Sequence, residues 1–205
     1  MNKKKQVALI FHGNAEFIAD LKQEQYFLRD LGISSYVTEY RGYYGRNSGW
    51  PSEKGFYLDA EAAVDFILKQ ENISASDLII IGRSIGTGTA SYTAEKYQTG
   101  TLVLYAPYTS LKDLIGEIPL LGMLTPFVKY NFPIKDYLAN LTSTCIVISH
   151  GKKDTIIPFT HSSKLSALYK GKIPLTFVKS EDAGHNDLVG YTYKEVGMHI
   201  INCIK

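Results

Sequence analysis

The sequence predicts an α/β fold in which one parallel sheet of about six strands is covered by helices on both faces. Short apolar runs, several of them rich in β-branched residues, alternate along the whole chain with segments of helical periodicity. Strands joined by helices pack through right-handed crossovers, which gives a parallel, doubly wound sheet. The 205 residues, 45% of them hydrophobic, fit a single domain over 1–205 with one substantial core.

The predicted elements follow one another in regular order. Six apolar runs predict strands: Val7–Phe11, Ile33–Tyr40, Leu78–Ile81, Thr101–Tyr105, Cys145–Ser149 and Leu175–Lys179. The segments between and after them predict five helices. The first runs over Phe17–Leu31 and is closed by Gly32, and the second runs to about Gln70 with Ser52 as its N-cap. The third runs from the turn after Ile81 to about Gln98, and the last two are His161–Tyr169 and Leu188–Ile204.

Two further segments are not plain connectors. The loop over 41–51 is rich in glycine and aromatic residues and is longer than an ordinary turn. The segment over 108–144 has no strand pattern, and prolines at 119, 126 and 133 divide it into short helices or loops. We therefore expect an insert there, with an apolar patch over 118–128, instead of a large lid domain.

Charge and cysteine usage exclude several functional classes. There are 22 basic and 20 acidic residues, a net charge of +2, and no basic stripe interleaved with aromatic residues, so no nucleic-acid partner is expected. Two cysteines do not make a disulfide framework, and Cys145 lies in an apolar run typical of a buried small hydrophobe, while Cys203 is near the end. Neither has a metal-ligand spacing with histidine, so neither a metal nor another cofactor is expected.

The beginning of the chain carries no targeting signal that we recognise. The apolar run Val7–Phe11 is too short for the core of a signal peptide or for a membrane span. We therefore expect a cytoplasmic protein, with peripheral membrane contact left open.

The chemistry is organised around Gly82-Arg83-Ser84-Ile85-Gly86, which lies between a predicted strand and a predicted helix. A Gly-x-Ser-x-Gly turn in that position exposes the serine hydroxyl above the sheet. The bare pattern arises by chance in about one chain in ten of this length, so the strand-to-helix placement is what favours Ser84 as a nucleophile.

A nucleophilic serine needs a base, and the base needs a third group that orients it. Asp154 follows the fifth strand and His185 follows the sixth, so both should emerge at the sheet edge that carries Ser84. The order Ser84, Asp154, His185 is the one expected for this chemistry on such a sheet. Asp182 and Asp187 are too close in sequence to His185 to approach its far nitrogen easily.

The other histidines are assigned structural roles. His12 and His150 each precede a glycine at a strand end, where turn roles are common, and His161 and His199 lie inside predicted helices.

For the oxyanion, two backbone N–H donors are needed. Ile85 supplies one as the residue after the nucleophile, and Asn14, after the first strand, is well placed for the other.

Together these segments resemble the α/β-hydrolase fold serine hydrolases, and in particular the Bem46/ABHD17/ABHD13-type branch. The motifs that carry the resemblance, in chain order, are His12-Gly13-Asn14, Tyr40-Arg41-Gly42-Tyr43 with Ser48-Gly49-Trp50-Pro51-Ser52-Glu53, Gly82-Arg83-Ser84-Ile85-Gly86, His150-Gly151-Lys152-Lys153-Asp154 and Gly184-His185-Asn186-Asp187. The resemblance implies a catalytic triad of Ser84, Asp154 and His185 with oxyanion donors at Asn14 and Ile85. It also implies a strand order of 2-1-3-4-5-6. Typical members carry a longer N-terminal part, often with a membrane anchor, so a minimal soluble core is expected here.

The leading functional hypothesis is an esterase or thioesterase acting through an acyl-enzyme on Ser84. Its substrate is a small molecule or an acylated protein. Aromatic residues of the long loop and apolar residues of the insert are candidates for an acyl pocket, although core packing explains each of them equally well: Tyr43, Tyr44, Trp50, Leu121 and Met123.

Two other classes stay open. A serine peptidase or amidase uses the same triad, and a catalytically inactive binding protein usually lacks a triad member. Ser84 at the turn excludes epoxide hydrolases and dehalogenases, which need a carboxylate there. Arg83 either meets an anionic substrate group or pairs with a neighbouring acid, and we favour the acid. Oligomeric state and acyl-chain length are not predicted.

Overall fold

A computed structural model describes residues 5–43, 49–119 and 121–204. Six strands form one sheet, and they are β1 Val7–Phe11, β2 Ser34–Thr38, β3 Leu78–Arg83, β4 Thr101–Tyr105, β5 Cys145–Gly151 and β6 Leu175–Ser180. Their order is β2-β1-β3-β4-β5-β6, and every neighbouring pair is parallel. The predicted fold class and strand order are therefore confirmed.

In the described part of the chain, seven α-helices lie around the sheet, and they are α1 Lys22–Asp30, α2 Glu53–Glu71, α3 Gly86–Tyr97, α4 Leu111–Gly116, α5 Ile134–Ala139, α6 Thr160–Leu168 and α7 Leu188–Cys203. The predicted helix over Phe17–Leu31 begins instead as a 3₁₀ turn, Ile18–Leu21. The Asp20 carboxylate accepts the Phe17 N–H at 2.8 Å, which caps that turn before the α-helix starts. At the other end, Gly32 has a φ of +78°, as a C-cap requires.

The alternation of side chains along the strands builds a core on each face of the sheet. Leu78 and Ile80 of β3 belong to the cluster that includes residues of α2, α3 and α5. Ile79 and Ile81 belong to the second cluster, which includes Leu28 of α1 and Val196 of α7. The carboxyl ends of the strands therefore carry side chains toward two different helical layers.

The insert remains small. Between β4 and β5, the described residues form α4, a 3₁₀ turn at Leu121–Phe127 and α5, with no separate lid domain. Met123 and Phe127 of this turn are 79% and 83% exposed. None of the described helices is both long and apolar enough to cross a membrane.

The sequence interpretation of the cysteines was wrong. Cys145 and Cys203 form a disulfide with a Cα–Cα distance of 5.8 Å. Cys145 begins β5, and Cys203 ends α7, which packs against β5 and β6. The sequence separation of 58 between the two cysteines hid this proximity, because only the packing of the last helix brings its end back to the start of β5.

Candidate active site

Ser84 lies on a sharp turn between β3 and α3. Its φ is +52°, a left-handed conformation that non-glycine residues rarely adopt. The glycines on either side are required by close packing. A Cβ on Gly82 would lie 2.6 Å from the Ala90 Cβ, and one on Gly86 would collide with the carbonyl oxygens of Phe11 and His12. The strand, turn and helix therefore hold the serine at the sheet edge in a strained backbone.

Ser84, His185 and Asp154 form a continuous chain of hydrogen bonds. The Ser84 Oγ lies 3.0 Å from His185 Nε2, and His185 Nδ1 lies 2.7 Å from Asp154 Oδ2. With the proton on Nδ1, the imidazole donates to the carboxylate and its free Nε2 accepts from the hydroxyl. This geometry allows Nε2 to take the hydroxyl proton when the serine attacks an electrophile.

The Asp154 carboxylate is fixed from several sides. Its Oδ1 accepts the backbone N–H groups of Ile156 and Ile157, both at 2.8 Å. Burial raises the pKa of Asp154, but hydrogen bonds from His150, His185 and the Ile157 backbone lower it by more than burial raises it. The pKa of Asp154 is therefore well below its ordinary value. The group therefore stays ionised at neutral pH while facing His185.

His150 is a neighbour of Asp154 that the sequence interpretation did not connect to the site. It is fully buried, with Nδ1 2.6 Å from the Ser162 hydroxyl and Nε2 3.0 Å from the Ile157 carbonyl oxygen. Its Nε2 also lies 3.2 Å from Asp154 Oδ2. His150 lies four residues before Asp154, and this spacing was the signal in the sequence that could have connected the two residues. His150 thus packs behind the carboxylate and does not contact Ser84.

The remaining histidines stay in structural positions. His12 is buried against the Tyr40 ring and lies 2.9 Å from Glu39, and the Tyr40 hydroxyl donates to its carbonyl oxygen at 3.0 Å. His161 is buried, and burial lowers its pKa. Its Nδ1 lies 3.0 Å from the Thr109 hydroxyl. His199 is half-buried in α7.

The two expected oxyanion donors face the same cavity. Asn14 follows β1, Ile85 precedes α3, and both line a cavity of about 240 Å³. Within the described part of the chain, neither backbone N–H donates to a protein acceptor. The adjacent Gly13 N–H, in contrast, donates to Glu16 Oε2 at 2.6 Å. The Asn14 and Ile85 amides thus have no acceptor among the described residues, which is what an oxyanion donor requires.

This small cavity differs in its walls from the pocket expected from the sequence. Tyr43 lines it, but Trp50 is 91% exposed and Met123 is 79% exposed, and neither is among its described lining residues. Tyr44 and the side chain of Leu121 lie outside the described residues. The other apolar lining residues are Pro51, Phe56, Leu111, Tyr130 and Phe132. Leu111, Tyr130 and Phe132 come from the ends of the insert, which no periodicity in the sequence singled out.

Arg83 connects three loops beneath the site. Its guanidinium lies 2.8 Å from Glu16 Oε1 and donates to the Asn186 carbonyl oxygen at 3.0 Å. Glu16 in turn accepts the Gly13 N–H through its second oxygen. This set, which we name the Arg83 bridge (Gly13, Glu16, Arg83 and Asn186), joins the loops that carry Asn14, Ser84 and His185. The preference for an acidic partner over a substrate agrees with these contacts.

Comparison with known proteins places the chain among hydrolases. Residues 2–137 match the family described as Serine aminopeptidase, S33 (Hydrolase_4). The chain is 34% identical over 200 residues to human Alpha/beta hydrolase domain-containing protein 17B, covering 91% of this chain and 62% of that protein. It is 33% identical to the mouse protein 17C, covering 89% and 55%. The chain thus spans less than two thirds of the length of these curated relatives.

Solved structures share the fold at low identity. Est1E from Butyrivibrio proteoclasticus with bound ferulic acid has a TM-score of 0.79 and 16% identity, covering 98% of this chain and 90% of that one. An esterase domain from Rhodothermus marinus has a TM-score of 0.72 and 14% identity, covering 100% and 90%. At these identities the likeness establishes the architecture alone.

Proposed function

Because the chain belongs to the α/β-hydrolase family described as Serine aminopeptidase, S33, we propose that it cleaves carboxylic esters or thioesters through an acyl-enzyme on Ser84. The observation that carries the proposal is the hydrogen-bonded chain from Ser84 through His185 to Asp154. Ile85, which directly follows Ser84 in the chain, and Asn14 line a cavity, and their amides have no acceptor among the described residues.

The proposed reaction has two halves. Ser84 Oγ attacks the acyl carbon while His185 Nε2 takes its proton, and the carbonyl oxygen becomes an oxyanion that accepts the Asn14 and Ile85 N–H groups. The protonated imidazole, stabilised by Asp154, then gives its proton to the leaving alcohol or thiol, and the acyl group remains on Ser84. In the second half, water attacks the acyl carbon while His185 Nε2 takes a proton from it. The imidazole then gives that proton to Ser84 Oγ as the carboxylic acid leaves.

The cavity supports a short acyl group. Its volume of about 240 Å³ lies below the roughly 300–1,000 Å³ of sites that hold drug-sized ligands. Its walls are mainly apolar and aromatic, and they include Phe56 and Phe132. Each methylene that is buried there contributes about 0.8 kcal/mol, or roughly a fourfold gain in kcat/KM.

The first experiment tests the nucleophile. We expect a fluorophosphonate probe to label the protein, and Ser84→Ala to abolish both labelling and hydrolysis of p-nitrophenyl butyrate. Ser163→Ala, at an exposed position of α6, is the matched control and should change neither. Labelling that persists in Ser84→Ala would overturn the proposal. A folded protein with no reactive serine would favour a non-catalytic binding role.

The second experiment tests the acyl group. With p-nitrophenyl esters of increasing length, kcat/KM should rise by about fourfold per methylene while the cavity fills and then level off or fall. Matched thioesters of the same acids establish which leaving group is preferred. A steady rise to palmitoyl esters would contradict the short-acyl assignment.

A peptidase or amidase is the second candidate, and membership of the serine aminopeptidase family favours it. An aminopeptidase needs an acidic group for the substrate's terminal amine. Glu53 is the acid that lines the cavity, but its carboxylate already accepts the N–H groups of Asn131 and Phe132 at 2.7 and 2.9 Å and the Tyr57 hydroxyl at 2.7 Å. We therefore expect aminoacyl p-nitroanilides to react far more slowly than esters. Comparable kcat/KM values for the two would favour the peptidase.

A further inference from the structure

A second and larger cavity lies on the other face of the sheet, between α1 and α7. Its volume is about 620 Å³, and no described residue lines both it and the cavity beside Ser84. Because side chains alternate along β3 and β4, Arg83 and Tyr105 at the strand ends point into this layer. We name it the α1/α7 cavity, with Glu24, Phe27, Arg83, Tyr105, Asp187 and Tyr193 among its walls.

The charges that face the α1/α7 cavity are predominantly acidic. Asp20, Glu24 and Asp187 line it together with one cation, Arg83. The Arg83 guanidinium is already engaged by Glu16 at 2.8 Å and by the Asn186 carbonyl oxygen at 3.0 Å. It lies only 3.6 Å from Glu24, so it is not free to receive an anion. The carboxylates that line this cavity therefore outnumber the cations, and the excess charge is negative.

Glu24 is the least exposed of these acids, since Asp20 and Asp187 both lie at exposed positions. Asp20 accepts the Phe17 N–H and Asp187 accepts the Gly184 N–H, each through one oxygen. The Glu24 side chain is only 18% exposed. Burial raises the pKa of Glu24, against lowering contributions from its own backbone hydrogen bond and from Arg83. A bound cation would stabilise the ionised form that burial disfavours.

Tyr105 adds a second, independent polar group. The residue is 6% exposed and lines the cavity, yet its hydroxyl has no hydrogen-bond partner among the described residues. Burial raises the pKa of this phenol, so the hydroxyl stays protonated at neutral pH. The hydroxyl opens to the cavity, where its oxygen and its proton are available to a ligand as acceptor and donor.

The walls are aromatic as well as acidic. Phe27 and Tyr193 meet edge to face with ring centroids 5.1 Å apart, and Tyr105 and Tyr191 complete the apolar lining. Aromatic faces attract cations, and the attraction grows when water is excluded. The volume lies within the range of sites for small organic ligands.

From this combination we propose that the α1/α7 cavity binds a small organic cation, an amine or guanidine carried on an apolar or aromatic body. The charged group sits between the Glu24 carboxylate and the Tyr105 hydroxyl, and the body packs against Phe27 and Tyr193. The proposal does not rest on the proposed ester hydrolysis at Ser84.

The test uses three probes of matched shape: 2-phenylethylamine, 2-phenylethanol and 3-phenylpropanoate, measured by calorimetry with the unmodified protein. We expect the amine to bind at least tenfold more tightly than the alcohol, and the carboxylate not to bind measurably. Glu24→Gln should weaken the amine about tenfold without changing the alcohol, and Tyr105→Phe should weaken it about threefold. Arg29→Gln, on the exposed side of α1, is the control and should have no effect.

Several outcomes overturn the proposal. With the unmodified protein, they are absence of amine binding, equal binding of amine and alcohol, and tighter binding of the carboxylate than of the amine. With the variants, the overturning outcome is an unchanged amine affinity in both Glu24→Gln and Tyr105→Phe when circular dichroism shows both to be folded. Protein labelled at Ser84 by a fluorophosphonate should bind the amine as before. Loss of binding after labelling would place the amine in the acyl cavity and contradict the proposal, whereas a protein that resists labelling but binds the amine would fail only the proposed hydrolase function.

Discussion

At the scale of single residues, the proposed nucleophile and base depend on neighbours that never touch a substrate. The Arg83 bridge ties the loops of Asn14, Ser84 and His185 together through side chains that are less than one fifth exposed. A semi-buried Arg–Glu pair with additional backbone partners resists solvent screening better than a surface ion pair does. We therefore assign Arg83 and Glu16 as positioning residues.

We predict that Arg83→Met lowers kcat for ester hydrolysis by about 10- to 100-fold with little change in KM, because a small displacement of three loops misaligns the reacting groups. Arg83→Lys should recover part of the loss, since one ammonium replaces only some of the contacts. Arg29→Met is the matched control, because Arg29 contacts Asp30 and the Tyr26 ring, and the Arg29 and Asp30 side chains are both 68% exposed. An unchanged kcat in Arg83→Met would show that the bridge does not position the site.

Asp154 leads to a prediction about pH. Its folded-state pKa is below the ordinary value, so its ionised form stabilises the fold above about pH 4, and this contribution is lost as the pH falls through the depressed folded-state pKa. Asp154→Asn should lower the free energy of unfolding by about 1–3 kcal/mol at pH 7, and by less at pH 3. Urea unfolding at both pH values measures this. Asp182→Asn, whose side chain is 67% exposed, is the control and should show little change at either pH.

At the scale of elements, the beginning of α2 organises the wall of the acyl cavity. The Ser52 hydroxyl caps the helix by accepting the Gly55 N–H at 3.0 Å, as the sequence predicted. The next residue, Glu53, accepts two N–H groups from Asn131 and Phe132 of the insert, 78 and 79 residues later. The cap was predictable because it is local, whereas the second contact depends on tertiary packing and left no signal in the sequence.

We predict that Glu53→Gln destabilises the protein by about 1–3 kcal/mol and raises KM for short acyl esters, because the amide is a weaker acceptor and one half of it is a donor. Thermal unfolding and ester kinetics measure the two effects. Glu181→Gln, whose side chain is 71% exposed in its pair with Lys152, is the matched control. A change in stability without any change in KM would mean that the insert does not shape the acyl cavity.

At the scale of the whole molecule, the parallel topology gathers at one edge the residues that the sequence separates widely. Ser84 and His185 are 101 residues apart, yet they lie within hydrogen-bond distance, because each follows a strand that ends at the same side of the sheet. Strand order and loop position therefore made Ser84, Asp154 and His185 predictable as neighbours. The pocket walls and the disulfide were not predictable in this way, because they depend on how the insert and the last helix pack.

The Cys145–Cys203 bond provides the last prediction. It joins two positions that are 58 apart in the sequence and encloses β5, α6, β6 and α7, so a loop-entropy estimate gives roughly 4 kcal/mol of stabilisation. We expect no free thiols in the unfolded protein before reduction and two afterwards, and a clear fall in Tm when a reductant is added. A variant with Cys145→Ser and Cys203→Ser should have a Tm close to that of the reduced protein whether or not a reductant is present. Two free thiols in the untreated protein would contradict the bond. Since cytosolic disulfides are rare, a cytoplasmic location predicts the reduced, less stable form in the cell. Alkylation of intact cells before lysis distinguishes the two states.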